Sequence, residues 1–246
     1  GITIQDKKPL ILFKHLSNNE PSLLGSFLEK IGYLPKRKQN PRHFIYMRHD
    51  MAHLLPKNKN YKNDFYNIIG IKHWYDGSPY IGSMYLNEKY LNSELSNHKL
   101  HIPKNHKGAA LIEEHDLKIF IKKYHREGWQ MAFHTQGDAA IKDVINSFEE
   151  LAAELDFSKS RHRLEHCLLL PKENINQMNR LNLTPSFHIN HLYYYGDVLK
   201  SSLIGQERAN KILPLGSVKK SGMRFSLHAD QPMFDSHPFK LIQTAV

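Results

Sequence analysis

From residue 67 onward the chain alternates short apolar runs with amphipathic stretches, and this alternation constrains the fold more than any other feature. Residues 67–75 (NIIGIKHWY) read as a strand closed by Asp76, Gly77 and Ser78, a turn signal. Residues 79–112 read as a long irregular excursion containing Tyr80, Tyr85, Tyr90 and His101. Residues 113–127 carry Leu117, Phe120, Ile121 and Tyr124 at helical spacing, with Gly128 as the stop. The pattern then repeats. Residues 129–135 form a strand, and Gly137 and Asp138 open a helix bearing Ile141, Val144, Ile145, Phe148 and Leu151. Strands follow at 162–168, 183–189 and 223–227, separated by a helix starting at Pro171, a Tyr-rich loop at 193–195 and a helical stretch over 206–221. Nearer the start, residues 10–13 read as a strand and 21–31 as a helix. Strands alternating with helices imply a parallel sheet in an α/β fold, either a barrel or an open doubly wound sheet.

The chain has 246 residues, 40% of them hydrophobic, which is enough for one sizeable domain. No run of apolar residues is long enough for a membrane span, and the single Cys167 excludes an internal disulfide framework. The net charge of +10 is spread along the chain. Its densest cluster, Lys36, Arg37 and Lys38, lies in a Pro-flanked loop with no interleaved aromatics, so it reads as a solvated surface rather than a nucleic-acid face. The reading is therefore a small-molecule partner, no nucleic acid and no membrane, with a homo-oligomer compatible. The cytoplasm is slightly favoured. Neither end carries an initiator Met, a targeting pattern or a clean stop. Residues 1–246 are accordingly expected to be one barrel domain lacking the N- and C-terminal parts of its parent, weakly stable and poorly active alone.

Seventeen histidines stand out. His49, His53, His98 and His106 read as ordinary surface or loop residues. Lys72, His134, His166 and Asp230 are different, because each falls at or just beyond the end of a different strand. In a parallel barrel those ends converge on one face, where active sites are built. Taken singly, each has a plainer role: a hydrogen-bonded core histidine, a helix cap or turn aspartate, an outward lysine. Together, two imidazoles, a carboxylate and a lysine make a site for a divalent metal, and neutral imidazoles with a carboxylate suit zinc best. His228 competes with Asp230, since the two flank Ala229 and share one side of the strand.

The segments IKHWYDGS (71–78), GWQMAFHTQGDAAI (128–141), RHRLEHCLLL (161–170) and LHADQP (227–232), in that order, resemble the motifs of the amidohydrolase superfamily, in particular amidohydrolase family 3. The resemblance implies a (β/α)8 TIM-type barrel, incomplete in this chain, with one or two divalent metal ions. It implies His134 and His166 as single-histidine ligands, Asp230 as ligand and general base, and Lys72 as a carboxylated, bridging lysine. The activity implied is metal-dependent hydrolysis of carbon–nitrogen (non-peptide) bonds, such as those of N-acyl or formamide-like amides. In that scheme His188 or His191 donates to the developing oxyanion, and Asp76 shapes a turn or touches substrate.

The sequence departs from the family in two respects: it lacks the closing helix, Gly-Lys-x-Ala-Asp segment and small β-sandwich strands, and it lacks the first pair of metal ligands. The first barrel strand of the family ends in His-x-His, and no such pair occurs near the start of this chain. The competing reading is a non-catalytic binding or regulatory protein on a degenerate amidohydrolase scaffold. A basic α/β protein that binds nucleic acid is a third.

Overall fold

The computed structural model describes residues 2–17, 22–36, 42–57, 65–235 and 237–246; Pro21 and the basic residues Arg37 and Lys38 lie outside the described residues. The chain divides into two compact units, 1–73 and 74–246. The first holds β1 (Ile2–Ile4), α1 (Lys7–Ser17), α2 (Leu23–Lys30), β2 (His43–Arg48) and most of β3 (Tyr66–Trp74), with β1–β2 and β2–β3 paired in parallel. Ile4, Ile45, Met47 and Tyr66 form its core, and Leu10 and Phe13 pack against them.

Leu10 and Phe13 correct one expectation. Residues 10–13 are the middle of helix α1 rather than a strand. A four-residue apolar run does not distinguish the two. The i, i+3 pair Leu10 and Phe13 gives the helix its buried side, and Pro9 is tolerated because it falls in the first turn. In α2, the Ser22 hydroxyl accepts the Gly25 N–H at 3.0 Å, a side-chain N-cap.

The second unit follows the predicted alternation. It contains α3 (Glu114–Arg126), β4 (Gln130–Thr135), α4 (Asp138–Leu151), β5 (Arg163–His166), α5 (Ile175–Arg180), β6 (Thr184–His188), α6 (Asn190–Val198), α7 (Gly205–Ala209), α8 (Leu215–Lys220), β7 (Ser226–His228) and α9 (Pro238–Ala245). Strands β4 to β7 pair in parallel in chain order. The strands number seven among the described residues; within each unit the paired strands are parallel, and helical segments intervene along the chain. This is the α/β architecture of a TIM-type barrel, incomplete in this chain, the closed form having eight.

Two details differ from the sequence reading. The Tyr-rich 193–195 stretch is helical, within α6, and the expected helix over 206–221 is broken between α7 and α8. Leu213 there adopts a φ of 46°, in the left-handed region, and Pro214 follows it; a continuous helix accommodates neither. The 79–112 excursion is irregular as expected, with a 3-10 turn at Pro79–Ile81 and a π-helical turn at Glu94–Lys99. Among the described residues, no helix is long and apolar enough to cross a membrane.

The outer core lies between strands and helices, where Phe133, Phe148, Leu117, Ile121, Val144 and Leu164 are fully buried. Each such side chain contributes about 2 kcal/mol through removal from water. A polar side chain, His162, is set among them. Its Nδ1 accepts the Met131 N–H at 3.0 Å, which puts the ring proton on Nε2, 3.2 Å from His125 Nδ1. Burial, with His125 adding to it, pushes the His162 pKa from 6.5 down to about 3. The unfolded chain therefore takes up a proton that the folded state refuses. This contribution to stability is full above about pH 6.5 and is lost as pH falls toward 3. Between pH 6.5 and 5 the loss is about 2 kcal/mol, at 1.36 kcal/mol per unit. Urea unfolding at pH 7.5 and 5 checks it: His162→Gln is expected to flatten the pH dependence by about that amount, and an undiminished slope would rule the residue out as its source.

Candidate metal centre

Strands β4, β5, β6 and β7 deliver His134, His166, His188 and His228 to one place in the second unit. The ring of His166 lies 4.3 Å from that of His134, 5.6 Å from His188 and 5.0 Å from His228, centroid to centroid. His188 stacks on His228 at 5.2 Å and meets His191, from the first turn of α6, at 4.2 Å. One nitrogen from each of His166, His188 and His228 falls in a set spanning no more than 4.8 Å. Burial lowers the pKa of His188 from 6.5 to about 4 and holds that of His191 well below 6.5, so both rings are neutral at physiological pH.

A metal's ligand atoms must converge without repelling it, and this set does. Zinc held tetrahedrally at 2.0–2.1 Å separates its nitrogen ligands by about 3.3 Å. His228 Nε2 and His166 Nδ1 are 3.4 Å apart. Neither buried nitrogen of His188 makes a well-formed hydrogen bond; the backbone at Ala229 exerts only a weak pull on that ring. Buried imidazole nitrogens without partners are costly, and a cation removes the cost. The residues present fit a divalent metal ion.

His166 reaches this cluster by departing from strand geometry. Successive side chains of a strand point to opposite faces. Yet Glu165 Oε2 lies 3.9 Å from His228 Nδ1, while His166 Nδ1 lies 3.4 Å from Nε2 of the same ring. The left-handed backbone of His166, φ 72°, turns its side chain to the face that Glu165 already occupies. Cys167 (φ 49°) and Asp230 (φ 57°) share this conformation. Such backbone costs about 1–2 kcal/mol per residue and collects at functional sites. Asp230 lies just beyond β7, 41% exposed at the side chain, with Oδ2 4.0 Å from His166 Nδ1.

Polar residues behind the imidazoles hold them in place. Ser186 Oγ lies 2.9 Å from His228 Nδ1, and Ser226 Oγ donates to Ser186 at 3.0 Å. Arg163 joins that chain, donating to Ser226 at 3.2 Å and to Glu165 at 2.6 Å. Contacts of this kind set the tautomer and aim of a ligating histidine. On the other flank, His134 Nε2 donates to the Gly77 carbonyl at 3.2 Å, which makes Nδ1 its lone-pair nitrogen.

Asp76 is wholly buried. Its carboxylate accepts the N–H groups of Gln136 (2.9 Å), Gly137 (2.9 Å) and Tyr85 (3.1 Å). It clamps the β4–α4 turn onto the 79–112 excursion, and in this structure it offers a substrate no surface. Burial pushes its pKa up to about 7, against the three amides that favour the charged form. Gly137 is required there: a Cβ would stand 1.7 Å from the Tyr85 carbonyl oxygen.

Of the residues singled out in the sequence, His134, His166, His188, His191 and Asp230 come together. Lys72 is described with the first unit, 7% exposed near the end of β3, its Cα opposite that of Arg48. His228, which the sequence left competing with Asp230, shares a side with it, and both reach His166. The pattern alone did not reveal Ser186, Ser226, Arg163 and Glu165 as supports, although their i, i+2 spacing on neighbouring strands was a usable signal.

A TIM-type α/β fold with imidazoles gathered at the strand ends defines a class of metal-dependent enzymes. The amidohydrolase family model matches residues 35–246, and the chain belongs to that family, in its family 3 branch. It is 29% identical over 143 residues to Protein LONG AFTER FAR-RED 3 of Arabidopsis thaliana, covering 58% of this chain and 24% of that protein. It is 26% identical over 146 residues to N-substituted formamide deformylase of Arthrobacter pascens, covering 58% and 26%. The matched stretch thus spans about a quarter of these curated relatives. Among solved structures, uncharacterized metal-dependent hydrolases of Pyrococcus furiosus (TM-score 0.67, 22% identity) and Pyrococcus horikoshii OT3 (TM-score 0.68, 21%) share the fold. Each covers 92% of this chain, which spans 44% and 42% of theirs.

Proposed function

We propose that the protein is a metal-dependent hydrolase of carbon–nitrogen bonds other than peptide bonds, acting on small N-acyl or formamide-like amides. The observation that carries this reading is the convergent imidazole cluster of His166, His188 and His228, with one nitrogen from each within 4.8 Å of the others. Family membership supports it, and so does the relative in Arthrobacter pascens named for formamide deformylation.

The ligand set is drawn from His134, His166 and Asp230; the family resemblance further implies Lys72, buried near the end of β3, as a lysine suited to carboxylation. His166 also belongs to the His188–His228 group, so it is the common ligand for one or two ions, zinc by donor chemistry. A bound ion supplies Lewis acidity at a carbonyl oxygen and makes water a nucleophile at neutral pH. Asp230, the half-exposed carboxylate of the cluster, would take a proton from water and pass it to the leaving nitrogen. His188 and His191 line the substrate carbonyl. Phe234, 5.3 Å from His188, and Tyr194, stacked on Phe234 at 4.9 Å, continue the site as an aromatic wall for the rest of the substrate.

Metal analysis of the full-length protein tests the reading. Close to one equivalent or more of zinc, iron or manganese is expected; less than about 0.2 equivalents would sink it and favour a non-catalytic scaffold instead.

A further inference from the structure

Tyr80 lies in the Pro79–Ile81 turn, outside every strand and helix of the barrel pattern, and its backbone N–H is capped by Ser78 Oγ at 3.3 Å. Its ring packs against α6, meeting His191 at 5.6 Å and Tyr195 at 4.5 Å. These two residues are four apart and share a helix face. The Tyr80 hydroxyl lies 2.5 Å from His191 Nδ1. Burial raises the phenol pKa well above its usual value, so the hydroxyl keeps its proton. Among the described residues, the acceptor within reach of that proton is His191 Nδ1. With Nδ1 accepting, the ring's own proton is on Nε2, and among the described residues Nε2 is buried with no hydrogen-bond partner. The ring of His188 lies 4.2 Å from that of His191, centroid to centroid, so this imidazole stands beside the candidate ligands.

We propose that Tyr80 is a positioning residue: by donating to Nδ1 it locks His191 as the Nε2–H tautomer, a donor held ready for the substrate carbonyl oxygen rather than a metal ligand. This rests on the hydrolase reading above. It separates His191 chemically from its neighbour His188, whose nitrogens remain open to a cation. A buried N–H with no partner in the resting protein is the preorganised kind of donor that stabilises charge developing on oxygen.

The test uses the full-length, metal-loaded protein and a formamide substrate. Long-range proton–nitrogen NMR of His191 is expected to show a single Nε2–H tautomer in the wild type and a mixture in Tyr80→Phe. The same variant should lose about 10–100-fold in kcat with KM nearly unchanged. His191→Gln, which keeps an N–H donor, is expected to retain more activity than His191→Phe, and all three variants should bind as much metal as the wild type. An Nδ1–H tautomer in the wild type, an unaltered tautomer and kcat in Tyr80→Phe, or loss of metal in His191→Gln would each overturn the proposal. The NMR readout needs no substrate. Failure of the wild type to hydrolyse any amide would therefore overturn the hydrolase reading alone.

Discussion

On the proposed hydrolase reading, His166→Ala is expected to abolish amide hydrolysis, by about 1000-fold or more, and to lower bound metal. The residue neighbours four members of the cluster: the rings of His134, His188 and His228, and the Asp230 carboxylate. Removing it breaks both candidate ligand groups at once. Metal catalysis of this type is worth several kcal/mol, and each 1.36 kcal/mol is a factor of ten. Folding should be little harmed, because alanine removes a polar ring from the end of a strand and leaves the outer core intact. The check is kcat/KM together with metal content by mass spectrometry. A variant with wild-type metal and activity would exclude His166 as the common ligand. A collapsed far-UV spectrum would instead be a folding effect, and His166→Gln, closer in shape, then serves as the second variant.

The second large effect falls on stability. Asp76→Ala is expected to destabilise the protein by about 3–5 kcal/mol, enough to remove much of the stability of an ordinary domain. Three backbone N–H groups, from Tyr85, Gln136 and Gly137, would be left buried without their acceptor. A methyl group offers none of the hydrogen bonds, and the close packing of Gly137 on Tyr85 leaves little room for water to substitute. Urea unfolding of the wild type and variant measures the difference. A loss below about 1 kcal/mol would mean that the turn holds without the clamp. Because His134 leaves β4 immediately before this turn, the site is expected to loosen with it.

The barrel pattern was legible from period alone wherever an element buries a whole face. Helix α4 shows this, with Ile141, Val144, Ile145, Phe148 and Leu151 on one side, and so do the apolar centres of β4 and β6. It failed where local preference is weak. Residues 10–13 satisfy strand and helix equally, and the aromatic 193–195 stretch is helical, within α6, whose first turn buries Asn190 and His191. The candidate site was legible as residue types at strand ends, and His134, His166, His188, His191 and Asp230 do meet.

Composition and order determined that this chain is an α/β barrel of the amidohydrolase family, with polar residues at the ends of its strands. Those are properties of spacing, and spacing is written in one dimension. Which of those side chains face one another was decided only by the tertiary structure. A strict alternation would turn His166 away from Glu165, and a φ of 72° at the last residue of β5 turns it back toward His228. The hydrogen bond between Tyr80 and His191 joins positions 111 residues apart, a pairing that no local periodicity encodes.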